Sequence, residues 1–175
     1  ADDPSLTVKS DARIDARVRN GKPEHPVRIV VDSKGRTPPD AKILHKGPGL
    51  RIIAVSDLAT DGDIAVLKQY AKVIHAGEDT VDLSILLEKL HGLVISRLMV
   101  EGGGTLIWGL LSAGLVDELL VFVGNIIIGG KDAPTLADGA GFISESDFIS
   151  LKLENVLTIE EGVLFHWKVK NKGDE

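Results

Sequence analysis

One stretch of the sequence decides the fold: Val100-Glu101-Gly102-Gly103-Gly104-Thr105-Leu106-Ile107-Trp108-Gly109. The residues before it, 93–100, are almost continuously apolar and predict a buried strand. The residues after it, 106–115, are apolar at helical spacing and predict a helix that ends near Gly114. Three consecutive glycines therefore lie where a strand is expected to turn into a helix.

A glycine turn at the start of a helix is a place where an anion can bind. Backbone N–H groups there point toward the ligand, and the helix dipole adds positive potential. Because glycine has no side chain, a phosphate can approach the main chain closely. We therefore expect residues 102–104 to hold a nucleotide diphosphate. The same glycines would also suit a tight turn that needs only their backbone angles.

The rest of the chain alternates strands with helices. The pattern predicts a short strand at 6–8, a solvated loop at 10–23, and helices at 61–71 and 81–90 with Asp82 as the N-cap. Further strands are expected at 26–32, 50–55, 73–75 and 116–123, followed by a hairpin near 149–156 and 162–169. This order predicts one α/β domain over residues 1–175. Its central sheet is expected to be mostly parallel, with helices on both faces and a C-terminal antiparallel hairpin.

Composition narrows the classes of function. The chain has 175 residues, 43% of them hydrophobic, and a net charge of -6, which argues against electrostatic wrapping of nucleic acid. It has no cysteine, and its five histidines show no metal-ligand spacing, so no metal site is expected. No apolar run is long enough to span a membrane and no signal peptide is visible, so the expected location is the cytoplasm.

A second candidate anion site follows the strand expected at 26–32. Ligands of parallel sheets lie beyond the carboxyl ends of the strands, so the loop 32–38 and the turn 101–105 are expected to share a cleft. Ser33, Lys34 and Arg36 supply a hydroxyl and two cations, which suit a terminal phosphate such as the 2′-phosphate that separates NADP from NAD. Standing alone, the same residues would form an ordinary solvated turn.

Carboxylates and one lysine complete the set. Asp2 and Asp3 precede Pro4, where they could serve as acid and base, although the residues by themselves favour an exposed turn. Glu101 would repel a phosphate, so we expect it to accept hydrogen bonds from substrate N–H or O–H groups. Lys9 would pair with a substrate phosphate or be a surface lysine like any other. Neither a GxGxxG fingerprint nor a Gly-Lys-Ser/Thr motif is present.

Several segments together resemble the riboflavin-biosynthesis reductases. They are Ala1–Lys9, Pro26–Ser33, Val100–Thr105, Gly114–Leu119, Gly129–Thr135 and the hairpin at Glu161-Gly162, in that order along nearly the whole chain. The family includes an archaeal diaminohydroxyphosphoribosylaminopyrimidine reductase and the C-terminal reductase domain of the bacterial bifunctional deaminase–reductase.

The resemblance implies a dihydrofolate-reductase-like fold, NADPH as cofactor, and a homodimer. The implied reaction reduces the ribosylamino group of a pyrimidinone 5′-phosphate to ribitylamino, with hydride passing from the nicotinamide to the sugar C1. Asp2 is implied to assist proton movement as the catalytic residue. The expected cofactor contacts are Asp2, Val31, Asp32, Ser33, Lys34, Arg36, Gly102, Gly103, Gly104, Thr105 and Leu106, and the expected substrate contacts are Leu6, Lys9 and Glu101.

The sequence departs from the family at its start. Family members carry a strand and a helix before the Asp-Asp-Pro motif, and this sequence lacks both, so we expect a single reductase domain whose first strand and helix were removed or lie outside the sequence. The deaminase domain of the bifunctional proteins is also missing, which favours a stand-alone reductase. The pattern favours the diamino substrate over its 2-oxo counterpart without deciding between them. Two other functions stay open: a reductase-like nucleotide-binding module without activity, and a reductase of the same fold that acts on another small heterocycle.

Overall fold

The computed structural model describes residues 3–131 and 133–170. The chain forms two compact units, Ala1–Ser96 and Arg97–Glu175. The first unit contains α1 (Asp11–Arg19), β1 (Arg28–Val31), α2 (Lys42–His45), β2 (Arg51–Val55), α3 (Asp61–Leu67), β3 (Lys72–His75) and α4 (Leu83–Gly92). The second contains α5 (Gly104–Ser112), β4 (Glu118–Val123), a short 3-10 helix (Glu145–Asp147), β5 (Leu151–Ile159) and β6 (Gly162–Val169).

The three strands of the first unit form a parallel sheet with β2 at its centre. Ile52, Ile53, Ala54 and Val55 of β2 are all fully buried, as expected for a strand covered on both faces. On one face, Ile53 and Val55 pack in a cluster with apolar residues of α2 and α3. On the other face, Ile52 and Ala54 pack with Leu86 and Leu90 of α4. The predicted helices on both faces of a parallel sheet are thus confirmed.

The strands of the second unit form an antiparallel sheet in the order β4-β6-β5. The predicted C-terminal hairpin is confirmed as β5 and β6, with a register shift between Leu153 and Asn155. The α/β class is therefore confirmed, with the described strands divided between a parallel and an antiparallel sheet.

The prediction of a strand at 93–100 is wrong. Residues 95–100 have no regular secondary structure, and Val94 and Met99 are 90% and 79% exposed. A strand needs a neighbour to take up its backbone hydrogen bonds. Within the described residues β3 pairs only with β2, and β4 only with β6. The glycine turn therefore follows an irregular apolar segment and not a strand.

The prediction of a loop at 10–23 is also wrong, because this segment contains helix α1. None of the residues of α1 is buried, and five of its nine residues are charged, so the segment has the composition of a solvated loop. The signals that could have found it are Ser10 at the N-cap position, Asp11 in the first turn, and Arg17 and Arg19 in the last turn, which suit the helix dipole. The strand expected at 6–8 is likewise wrong, since residues 3–10 are irregular.

Candidate functional site

The last residue of β1, Val31, and the loop that follows it carry the first group of predicted site residues. The three strands are parallel, so their carboxyl ends lie at one edge of the sheet. In such folds the loops at this edge bind the ligand. Asp32 Oδ2 accepts hydrogen bonds from the backbone N–H of Thr37 at 2.6 Å and from its hydroxyl at 2.7 Å. Ser33 Oγ accepts one from the backbone N–H of Val81 at 3.0 Å. Both side chains therefore hold the shape of the loop.

Gly35 lies at the tip of this loop, between two cationic residues. It is buried with φ +67°, and a Cβ there would lie 3.4 Å from Ala59 Cβ. The tip is thus held against the residues that begin and form α3, while Lys34 and Arg36 on either side stay exposed. Over residues 3–131 and 133–170, neither Lys34 nor Arg36 has an ion-pair partner. The arrangement offers two free positive charges to an anion.

Residues at the ends of β2 and β3 complete this edge, and sequence reasoning missed them. Ser56 is fully buried, and its hydroxyl donates to the carbonyl of Ser33 at 2.9 Å. Asp57 Oδ1 lies 3.6 Å from Nδ1 of His75, the last residue of β3. The signal that could have found them is their place immediately after, or at the end of, two strands that were predicted.

The glycine turn opens α5 without a side-chain cap. Its N-cap is Gly103, whose carbonyl accepts from the backbone N–H groups of Leu106 at 3.1 Å and Ile107 at 3.3 Å. Within the described part of the chain, the N–H groups of Gly104 and Thr105 donate to no backbone acceptor. A Cβ added at Gly103 would meet no atom within 4 Å. The start of the helix is therefore open to an anion on the Gly103 side.

Gly104 is closed off by another residue. It is buried, and a Cβ there would lie 2.7 Å from the backbone N of Asp138 and closer still to the Asp138 carboxylate. Thr135 Oγ1 donates to the other carboxylate oxygen, Oδ1. One side of the helix start is thus occupied by the protein's own carboxylate, which sequence reasoning did not identify. An anion could therefore approach this turn at Gly103 and not along its whole length.

The other residues of the turn differ in their packing and exposure. A Cβ at Gly102 would lie 3.1 Å from Leu106 Cδ2, so this glycine leaves room for that side chain. Glu101 and Thr105 are exposed, and Leu106 is half-buried. The carboxylate of Glu101 is thus accessible to a ligand.

The N-terminal segment is held to the first unit at several points. Asp3 Oδ1 accepts from the backbone N–H of Lys42 at 2.9 Å, and Leu6 packs against the cluster on the α2–α3 face of the sheet. Both residues have positive φ, 45° and 49°, a conformation that leucine rarely adopts. Such strain persists only where the surroundings hold it. Asp2, the predicted catalytic residue, lies outside the described residues.

Lys9 lies beside other cations. Together with Arg13 and Arg17 of α1 it lines an open groove, in which Thr7 and Ser10 supply hydroxyls. Such a groove suits an anionic group such as a phosphate. No described group of three or more acidic residues, histidines or cysteines could hold a metal ion, and no described helix is long and apolar enough to cross a membrane.

Comparisons with known proteins place the chain in a family. The family model of the RibD C-terminal domain matches residues 1–165. The 2,5-diamino-6-ribosylamino-4(3H)-pyrimidinone 5′-phosphate reductase of Methanothermobacter thermautotrophicus is 44% identical over 171 residues, which cover 97% of this chain and 75% of that protein. The reductase of the same name from Archaeoglobus fulgidus is 44% identical over 162 residues, or 93% of this chain and 71% of that protein.

A solved structure, RibD of Acinetobacter baumannii, matches with a TM-score of 0.77 at 24% identity and covers 97% of this chain and 44% of that one. This likeness shows the fold. The family match over residues 1–165 and the two relatives at 44% identity show the family: the chain belongs to the RibD C-terminal domain family.

Proposed function

We propose that this protein is an oxidoreductase of riboflavin biosynthesis that reduces 2,5-diamino-6-ribosylamino-4(3H)-pyrimidinone 5′-phosphate with NADPH. The ribosylamino group of the substrate becomes ribitylamino. The observation that carries the proposal is the 44% identity to two archaeal reductases named for this substrate, over more than nine-tenths of the chain.

The proposed cofactor contacts fall into two groups. Backbone N–H groups at Gly104 and Thr105 would donate to the pyrophosphate on the open side of Gly103, with Gly102 and Leu106 forming the adjoining wall. The exposed cations Lys34 and Arg36 would pair with the 2′-phosphate, on the loop that follows Val31 and whose shape Asp32 and Ser33 hold. NADPH, when bound, supplies the hydride.

The proposed substrate contacts are Leu6, Lys9 and Glu101. The ammonium of Lys9 would pair with the 5′-phosphate, supported by the cations that share its groove. Glu101, an exposed carboxylate, would accept hydrogen bonds from N–H groups of the pyrimidinone. In this proposal the sugar ring opens to an imine, hydride adds to C1 of the carbon–nitrogen double bond, and a proton adds to the nitrogen. Asp2 is the group proposed to move that proton.

The test follows NADPH oxidation by absorbance with the diamino pyrimidinone ribotide and, separately, with its 2-oxo counterpart. We expect turnover of the diamino compound, and a large loss of turnover in Asp2→Asn with NADPH affinity little changed. Unaltered turnover in Asp2→Asn would remove Asp2 from catalysis. NADPH binding without oxidation of either compound would favour the inactive nucleotide-binding module, and turnover of another heterocycle alone would favour a different reductase.

We also propose a homodimer formed through the antiparallel sheet. Leu119 and Leu153 lie opposite Trp167, and Val121 and Val156 lie opposite Phe165, so these six apolar side chains share one face. We call it the apolar face. Leu153 and Val156 at its edge are each 45% exposed. The opposite face also exposes apolar side chains, with Leu120 at 58% and Phe122 at 56%, so the choice of face is part of this proposal. A second copy of the chain would cover the apolar face, since exposed apolar side chains mark interaction surfaces.

A further inference from the structure

His25 contacts the segment that carries two of the proposed substrate contacts. Its side chain is buried, with 8% of the residue exposed. Its Nδ1 accepts a hydrogen bond from the backbone N–H of Val8 at 3.3 Å. An accepting Nδ1 carries no proton, so the neutral ring bears its proton on Nε2. The bond fixes the main chain immediately before Lys9.

The imidazole is held by close packing against Gly47. A Cβ at Gly47 would lie 2.5 Å from both Cδ2 and Nε2 of the ring, and 3.4 Å from Thr7 Cγ2. Only glycine leaves this space, and its φ of +66° suits glycine as well. Thr7, His25 and Gly47 therefore form one packed contact, so the ring has little freedom to move away from Val8.

Two arginines hold Gly47 in turn. Arg28, the first residue of β1, is 1% exposed and donates through its guanidinium to the carbonyls of Lys46, Gly47 and Pro48. Arg51, the first residue of β2, donates to the Gly47 carbonyl at 2.6 Å. Burial, and then the charge of Arg51, lower the pKa of Arg28. The contacts run without a gap from the parallel sheet through Gly47 and His25 to Val8.

We propose that His25 is a positioning residue for the substrate: it holds the main chain at Val8 so that Leu6 and Lys9 meet the pyrimidinone phosphate. This inference rests on the proposed function, because Leu6 and Lys9 are the proposed substrate contacts. Leu6 has φ +49° and needs an external hold to keep that conformation. The bond at Val8, two residues further on, supplies one. His25 itself touches neither substrate nor cofactor in this proposal.

The test compares three variants with the wild-type chain. His25→Leu keeps a side chain of similar size but removes the acceptor, and His25→Asn keeps an acceptor oxygen close to the position of Nδ1. His91→Leu makes the same replacement at an exposed histidine of α4. Steady-state kinetics with each substrate varied, and exchange of the Val8 amide hydrogen, are measured for all four proteins.

We expect His25→Leu to raise the KM for the pyrimidinone phosphate about fivefold, the effect of one lost hydrogen bond, with kcat and the KM for NADPH unchanged. His25→Asn should restore most of the KM, and His91→Leu should match the wild type. The Val8 amide should exchange faster in His25→Leu, while the amide of Ile53 in the centre of β2 should not change.

Several results would overturn the role of His25. They are an unchanged KM for the pyrimidinone in His25→Leu, an equal rise in both KM values, or a failure of His25→Asn to rescue. If His25→Leu does not fold, unprotected exchange of the Val8 amide in the wild type would overturn it without any variant. An inactive wild type would instead overturn the proposed function and the substrate role together, while amide exchange would still report on the bond.

Discussion

The three glycines at the start of α5, residues 102–104, serve different physical purposes. Gly102 leaves room for the side chain of Leu106, Gly104 for the approach of Asp138, and Gly103 borders open space. In the sequence they are identical neighbours, since nothing local distinguishes them. The contact that makes Gly104 necessary comes from a residue far along the chain. Only Gly103 therefore stays open to an external phosphate.

The variant Gly103→Ala should weaken the binding of NADPH without changing the stability of the fold. Its φ of -69° is allowed for alanine and the added Cβ meets no atom, so we expect no change in thermal unfolding. The methyl group would occupy the proposed approach of the pyrophosphate, so the Kd for NADPH should rise about tenfold, as for the loss of one or two charge-assisted hydrogen bonds. Fluorescence titration measures the Kd. Gly92→Ala, at the end of α4 and also without contacts, is the control that should bind normally.

Gly104→Ala should behave in the opposite way to Gly103→Ala, because its Cβ would collide with the backbone of Asp138. Its thermal unfolding temperature should fall. Wild-type NADPH affinity in Gly103→Ala would contradict a pyrophosphate at this turn, whatever the outcome for Gly104→Ala.

Arg36 tests the 2′-phosphate assignment. Its exposed guanidinium has no described ion-pair partner, so Arg36→Ala should cost little stability. If it pairs with the 2′-phosphate, the Kd for NADPH should rise about tenfold through the lost charged hydrogen bonds, and the Kd for NADH should not change. Parallel titrations with both nucleotides measure this, with Arg19→Ala on exposed α1 as control. Equal affinities for NADPH and NADH in the wild type would remove the assignment.

At the scale of elements, the start of a helix was predicted correctly where the helix has a side-chain cap and also packs against the core. Asp82 caps α4 by accepting from the backbone N–H of Ile85 at 3.0 Å, as expected from the sequence. The helix then buries Leu86 and Leu90 against β2. Helix α1 buries no residue, and its N-cap Ser10 makes no side-chain cap bond. Five of its nine residues are charged, so its composition favours a solvated loop over a helix that packs on a core.

The two caps make a matched pair. Asp82→Ala should lower the free energy of unfolding by about 1 kcal/mol, because it removes a cap that supports a packed helix. Ser10→Ala should leave it nearly unchanged, since no cap bond is lost and α1 packs no buried side chain. Urea unfolding followed by circular dichroism measures both. An equal loss in the two variants would show that α1 contributes to stability as much as α4 does.

At the scale of the whole molecule, the proposed homodimer predicts a response to charge on the apolar face. Val156→Lys places an ammonium opposite Phe165, so a dimer that covers this face should dissociate while the fold persists. Asn155→Lys adds the same charge one residue away, opposite His166 on the other face, and should leave the dimer intact. Sedimentation velocity measures the mass of each. A monomeric wild type, or dissociation only in Asn155→Lys, would contradict this interface.

The position of one part of the candidate site could be predicted from the sequence, because its signals are local. Asp32, Ser33, Lys34 and Arg36 follow an apolar strand, and the structure does place them at the carboxyl edge of a parallel sheet. Ser56 and Asp138 escaped notice because their importance depends on partners that are distant in the sequence. The same applies to His25, which in the sequence is one of five scattered histidines.

The sequence by itself determined the parallel strands β1, β2 and β3, the capped helix α4 and the C-terminal hairpin. Their periodicity, caps and turn residues act within a few positions of one another. Only the tertiary structure decided that residues 95–100 form no strand, that Asp138 closes one side of the glycine turn, and that His25 holds Val8. The physical reason is that a strand needs a partner and a close approach needs a second surface, and both come from parts of the chain that a local pattern does not contain.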